Sequence, residues 1–107
     1  MKITLKMTNL DMTDAIRNYV QEKIDRLEKY LGETQVINCD VELERMAAGQ
    51  HKGDIFRAEV NLQIPREILR VEKTEKDLYK AIDKVKDHLE EIIVSHREKL
   101  RDQKRGK

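Results

Sequence analysis

Residues 97–107 hold six Lys/Arg against two Asp/Glu, a local charge of +4, whereas the other 96 residues hold 16 against 19 and sum to −3. Arg97, Lys99, Arg101, Lys104 and Arg105 thus form a cationic end on a chain that is otherwise slightly acidic, with His96 at its head. A basic arm rooted in a folded domain grips anionic surfaces, and among these RNA is the best match. Further cations stand upstream at helical spacing. Arg17, Lys23, Arg26 and Lys29 share the polar side of one amphipathic stretch, and Lys76, Lys80 and Lys84 form an i, i+4, i+8 row that leads toward the basic end. Phosphate recognition needs only positioned cations, so such rows suffice for shape-based binding to structured RNA. Singly, each exposed lysine also reads as an ordinary solvated group; the clustering at the terminus carries the inference.

No other residues combine into a reactive constellation. There is no Gly-rich phosphate loop, and the only serine, Ser95, lies in a helical stretch without the strand–turn–helix context of a nucleophile. The single cysteine, Cys39, alternates with Ile37 and Val41 and reads as a buried structural thiol; one cysteine forms no internal disulfide, which suits a reducing cytosol. His88 and His96 are two helical turns apart, farther than the i, i+4 spacing that shares a metal, and His51 sits in a loop without an obvious partner. Glu90 and Glu91 are adjacent on a helix and point apart, which suits solvation more than acid–base work. The expectation is a non-enzyme with no catalytic residues, no metal and no cofactor.

The elements that must position the cations are legible from periodicity. At 107 residues the chain is expected to be a single domain over 1–107, ending in a basic, mobile tail at about 101–107. Ile3, Leu5 and Met7 alternate with Lys2, Thr4 and Lys6, the period of a half-buried strand over 2–8. Thr13 offers an N-cap and Asp14 an acidic first turn; Ile16, Tyr19, Val20, Ile24, Leu27 and Leu31 follow at helical spacing, and Gly32 stands where a C-cap would end that helix. Ile37, Cys39, Val41 and Leu43 alternate in a second strand. A loop over 47–53 leads to Phe56, Ala58, Val60, Leu62 and Ile64 in a third, and Pro65 opens a turn. A short fourth strand, about Glu67–Lys73, points Leu69 and Val71 inward.

The last helix opens on a capping-box pattern, Thr74 with Asp77 three residues later. Its apolar stripe is Leu78, Ile82, Val85, Leu89, Ile92, His96 and Leu100; run to about residue 103 it spans roughly 43 Å, longer than a small sheet can cover. Packing of this stripe onto the sheet is expected, although a heptad seam can also pair with another helix, which leaves weak self-association open. The fold class is therefore α+β, in the order β-α-β-β-β-α: a four-stranded mixed sheet with two helices packed on one face and the other face open. Strands one and two should be parallel and the rest an antiparallel meander. The open face lacks aromatics, because Phe56 points inward, so base stacking on the sheet is not expected. No uninterrupted apolar run resembles a signal peptide or a membrane span, and a cytoplasmic protein without membrane contact is expected.

Two motifs bring this order of elements together with a known family. Met12-Thr13-Asp14-Ala15-Ile16-Arg17-Asn18-Tyr19-Val20-Gln21-Glu22-Lys23-Ile24, then Leu27-Glu28-Lys29-Tyr30, resembles the first helix of bacterial ribosome hibernation promoting factors. That family includes the ribosome-associated inhibitor and has been labelled sigma-factor modulation protein. Asp77-Leu78-Tyr79-Lys80-Ala81-Ile82-Asp83 resembles its second-helix signature, and the resemblance covers nearly the whole chain. It implies binding to the small ribosomal subunit and its rRNA near the decoding centre, across the tRNA and mRNA path, which keeps idle ribosomes inactive. Long members of the family add a C-terminal domain that pairs ribosomes, and this chain resembles a short form or an isolated N-terminal domain. Members often carry basic or amide residues where this chain has Glu91 and Ile92, and a basic one where it has Ser95.

The expected RNA-binding set is therefore Arg17, Lys23, Lys29, Lys80, Lys84, His96, Arg97, Lys99, Arg101, Lys104 and Arg105. Tyr79 reads as a packing residue as readily as a contact, and Asp83 as an organiser of the helix surface. Two other readings remain: a protein-interaction module regulating a transcription factor through the long helix, and a general double-stranded RNA-binding domain.

Overall fold

The computed structural model describes residues 1–47 and 53–105, with only the backbone of Arg105. Strand β1 (Thr4–Thr8) is followed by α1 (Asp14–Asp25), a single turn α2 (Glu28–Leu31), β2 (Asn38–Ala47), β3 (Asp54–Ile64), β4 (Glu67–Glu75) and the long α3 (Leu78–Arg105). The sheet order is β1-β2-β3-β4, with β1 parallel to β2 and the other two pairs antiparallel. This is the mixed, four-stranded α+β architecture that the alternating runs predict.

The period of two sorts each strand. Cys39, Val41 and Leu43 of β2, Ala58, Val60, Leu62 and Ile64 of β3, and Leu69 and Val71 of β4 are buried on one face. They form one cluster with Ile16, Val20 and Ile24 of α1, Leu27 and Leu31 around α2, and the stripe of α3. Burial pushes the Cys39 thiol up to about 12, which makes it an inert core group. Ile64 pairs with Glu67 around Pro65-Arg66, and Arg66 takes the positive φ of 71° that the second central residue of a type II turn requires after proline.

Several boundaries differ from the sequence expectation, each for a local reason. The first helix is split. Thr13 caps α1 as expected, its Oγ accepting from the Ile16 amide at 3.1 Å. At the other end, the Leu27 amide bonds the Ile24 carbonyl three residues back, a tight turn that sends Leu27 fully into the core before α2 begins. Ile37 precedes β2 and is 47% exposed instead of facing inward. The ladder also carries β4 two residues beyond Lys73, pairing Thr74 with Arg57 and Glu75 with Phe56. Thr74 therefore cannot cap α3. Asp77 does, its Oδ1 accepting from the amides of Tyr79 at 2.8 Å and Lys80 at 3.2 Å. Lys76 lies ahead of the helix, outside the row it was expected to begin.

The buried stripe of α3 is Leu78, Ala81, Ile82, Val85, Leu89 and Ile93. A straight helix of 3.6 residues per turn drifts away from a strict heptad, so the seam shifts from the expected Ile92, which is half-buried, to Ile93. Beyond Ile93 none of the described α3 side chains is buried, and Leu100 is 45% exposed. The helix nevertheless continues to Arg105, so residues 101–105 of the expected tail are helical. The cap assignment is open to measurement: Asp77→Ala should cost about 0.5–2 kcal/mol in urea unfolding, whereas Thr74→Val, which keeps a β-branched residue in β4, should cost markedly less.

Candidate nucleic-acid interface

Helices α1 and α3 meet at a polar clasp built from residues four apart on each helix. The Tyr19 hydroxyl donates to Asp83 Oδ1 at 2.6 Å, and its ring meets the Tyr79 ring edge-on, with centroids 4.7 Å apart and planes at 88°. Lys23 Nζ sits 3.4 Å from the same Asp83 oxygen and 5.2 Å above the Tyr19 ring. The hydrogen bond to Asp83, with burial adding to it, pushes the Tyr19 hydroxyl up to about 12. Asp83 thus orders the helix surface, and Tyr79 packs against Tyr19 while remaining 39% exposed. Farther along α3, Lys86 bonds Glu90 at 2.9 Å, which together with the pull of its charge holds the Glu90 carboxyl below its ordinary value.

The end of α2 meets α3 differently. Arg97 reaches across and donates from Nη1 to the Tyr30 carbonyl at 2.7 Å, one of the orphan acceptors of a helix terminus. Its guanidinium lies over Gly32, where an added Cβ would stand 2.9 Å from Arg97 Nη2; Gly32 also has φ +59°. The glycine therefore supplies both the turn and the seat for Arg97. Lys29 Nζ lies 5.1 Å above the Tyr30 ring. Lys29, Tyr30, Val94, Arg97, Glu98 and Arg101 line one surface hollow of about 400 Å³.

The two flanks of α3 carry opposite charge. Arg97, Arg101 and Lys104 recur at four and three residues, so they share the side that faces α1 and α2. The flank toward β4 is acidic: Glu67, Glu91, Glu98 and Asp102 line a hollow of about 640 Å³ with His88, His96 and Lys99. There His96 Nδ1 lies 2.7 Å from a Glu67 oxygen, and Lys84 pairs with Glu75. The open sheet face is also acidic. Glu42, Glu59 and Glu72 stand in one cross-strand row, and Arg57 bridges them at 2.8, 3.4 and 2.9 Å while also bonding Glu44 at 2.9 Å. Hydrogen bonds from Arg57 and Thr8 hold the Glu42 carboxyl below its usual 4.5.

This sheet and its packed helices form a fold shared with known proteins. Residues 3–101 match the family described as Sigma 54 modulation protein / S30EA ribosomal protein. The chain belongs to that family. Relatives in the family include the ribosome hibernation promotion factor of Lactococcus lactis subsp. cremoris, 33% identical over 92% of this chain and 51% of that protein. The ribosome hibernation promoting factor of Azotobacter vinelandii is 27% identical over 99% of this chain and 92% of its own length. The chain thus spans about half of the first relative and nearly all of the second. Among solved structures, the N-terminal domain of Thermus thermophilus Protein Y superposes with a TM-score of 0.75 at 35% identity, covering 90% of this chain and 99% of that one. A ribosomal subunit interface protein from Coxiella burnetii shares the fold, with a TM-score of 0.75 at 18% identity over 91% of this chain and 98% of that one.

Within this family fold the eleven expected contact residues fall into distinct settings. Lys29, Arg97 and Arg101 are brought together; Lys104 follows on their face. Arg17 and Lys80 are exposed and make no ion pair among the described residues. Lys23, Lys84 and His96 each face a carboxylate, and Lys99 lies on the acidic flank. The Arg105 side chain, like His51 and most of the 47–53 loop, lies outside the described residues. Sequence reasoning missed Arg57 and Gly32 as organisers. The alternating Glu42, Glu44 and Glu59 were a visible signal, but the partner that neutralises them depends on strand register.

Two measurements check these electrostatics. Because the Tyr19 phenol is raised from 10.0 to about 12, its contribution to stability is complete below pH 10 and lost as the pH rises to 12; one of the three tyrosines should ionise late in an ultraviolet titration, and Tyr19→Phe should remove that step. Arg57→Met should cost on the order of 1–3 kcal/mol at pH 7 by leaving Glu44, Glu59 and Glu72 without an ion partner and Glu42 with Lys6 alone. The lowered Glu42 pKa is a stabilising contribution that disappears with acid, so the difference from wild type should shrink as the pH falls below 4.5.

Proposed function

We propose that this chain is a non-enzymatic, cytoplasmic ribosome-binding factor that promotes hibernation. In this reading the cationic flank of α1, α2 and α3 docks on small-subunit rRNA in the decoding region and keeps idle ribosomes inactive by occupancy. The observation that carries it is the convergence of Lys29, Arg97 and Arg101, none of them ion-paired among the described residues, in a member of a family whose named relatives are ribosome hibernation factors. The acidic sheet face and the acidic β4 flank of α3 would repel phosphate, so only one side of the molecule suits RNA. Occupancy requires no bond to be made or broken, and the one thiol is buried and inert.

Sedimentation tests this reading. In gradients of stationary-phase lysate the protein should run with small subunits or whole ribosomes, and the association should weaken steeply as salt rises. Replacing Lys29, Arg97, Arg101 and Lys104 by Gln should release it at lower salt than wild type, while neutralising Lys84 and Lys99 should have the smaller effect. A chain that stays at the top of a low-salt gradient would overturn the reading. Salt-insensitive binding that depends on Leu100 would instead favour a protein-docking module.

A further inference from the structure

Three half-buried cations among the described residues are matched to carboxylates: Lys23 to Asp83, Arg57 to its four glutamates and Lys86 to Glu90. The exposed cations of the hollow beside α2 have no such ion pair among the described residues. Three cations line it, and Glu98 is the one carboxylate among its lining residues, which leaves a net charge of +2. Arg97 is not a free surface arm. One donor of its fork is anchored on the Tyr30 carbonyl, and the plane rests on Gly32, where no side chain fits. Its remaining N–H groups are therefore held in place before any ligand arrives, which lowers the ordering cost of binding. Arg101 stands one turn further along the same face, and Lys29 enters from the other helix as a compact point charge.

We propose that Lys29, Arg97 and Arg101 form one phosphate subsite, seated on Gly32, that holds a single backbone phosphate of RNA. This assignment rests on the ribosomal reading above and deepens it. A planar guanidinium presents paired donors to two phosphate oxygens, a geometry that an ammonium does not reproduce. The net charge suits one phosphodiester and not a run of them, with Glu98 on the rim opposing a second anion.

The subsite differs from three separate contacts in its salt dependence. Small-subunit binding would be measured across a salt series for wild type, for Lys29→Gln, Arg97→Gln and Arg101→Gln singly, and for the triple variant. One shared phosphate predicts a total loss in the log–log slope of about 0.7–0.9, with each single change accounting for much of the triple's effect. Arg97→Lys, which keeps the charge, should still weaken binding several-fold, and Gly32→Ala should do so with no change in charge, its urea midpoint confirming that it folds. Additive losses reaching about three times that slope would overturn the single subsite. A triple variant that binds like wild type would overturn it while leaving the ribosomal reading intact, even if inorganic phosphate shifts the Arg97 side-chain resonances, since that would mark a site for free anions. Failure of the wild type to bind ribosomes would remove both.

Discussion

Everything on the surface of this protein is placed by the packing of α3 on the sheet. Leu78, Ala81, Ile82, Val85, Leu89 and Ile93 enter the same core as β3 and β4, and each large aliphatic side chain so buried contributes about 1.5–3 kcal/mol. An exposed ion pair contributes about 0–1 kcal/mol. The aliphatic stripe therefore sets the rotation of the helix, and the charges take whatever positions that rotation leaves them. With four aromatic residues in the chain, no large ring anchors the core; the orientation comes from many aliphatic contacts along several turns.

Once α3 is set, charge segregates by flank. The α1 side receives Arg97, Arg101 and Lys104, the β4 side receives Glu91 and Asp102 with Lys99, and Glu98 borders both. The Tyr19–Asp83 bond and the Arg97–Tyr30 bond then tie α1 and α2 to the two ends of that flank. These contacts act as positioning devices more than as stabilisers, because they hold cations on two helices in one fixed relation. The far side of the sheet is neutralised internally through Arg57, which keeps three aligned glutamates compatible with a regular ladder.

How much of this was legible depends on the range of the interaction. The strands, the Pro65 turn, the Thr13 cap and the Gly32 stop were readable because each rests on residues within a few positions of one another. The family was readable from two short motifs. Thr74 misled because its capping pattern with Asp77 is locally sound, yet the ladder to Arg57 holds it in β4. Ile92 misled because a heptad and a 3.6-residue helix agree for three turns and then separate by one residue. The expected contact set named Lys29, Arg97 and Arg101, but nothing in it distinguished them from Lys84 and His96, which face Glu75 and Glu67.

By itself, then, the sequence determined the element order, the apolar faces, the cationic end and the family, since periodicity, caps and composition act over one or two turns of chain. Only the tertiary structure decided which cations are matched to carboxylates and which are left unpaired among the described residues. That outcome depends on partners such as Tyr30 for Arg97, 67 residues apart, and on a helix rotation that the core, not the charges, selects.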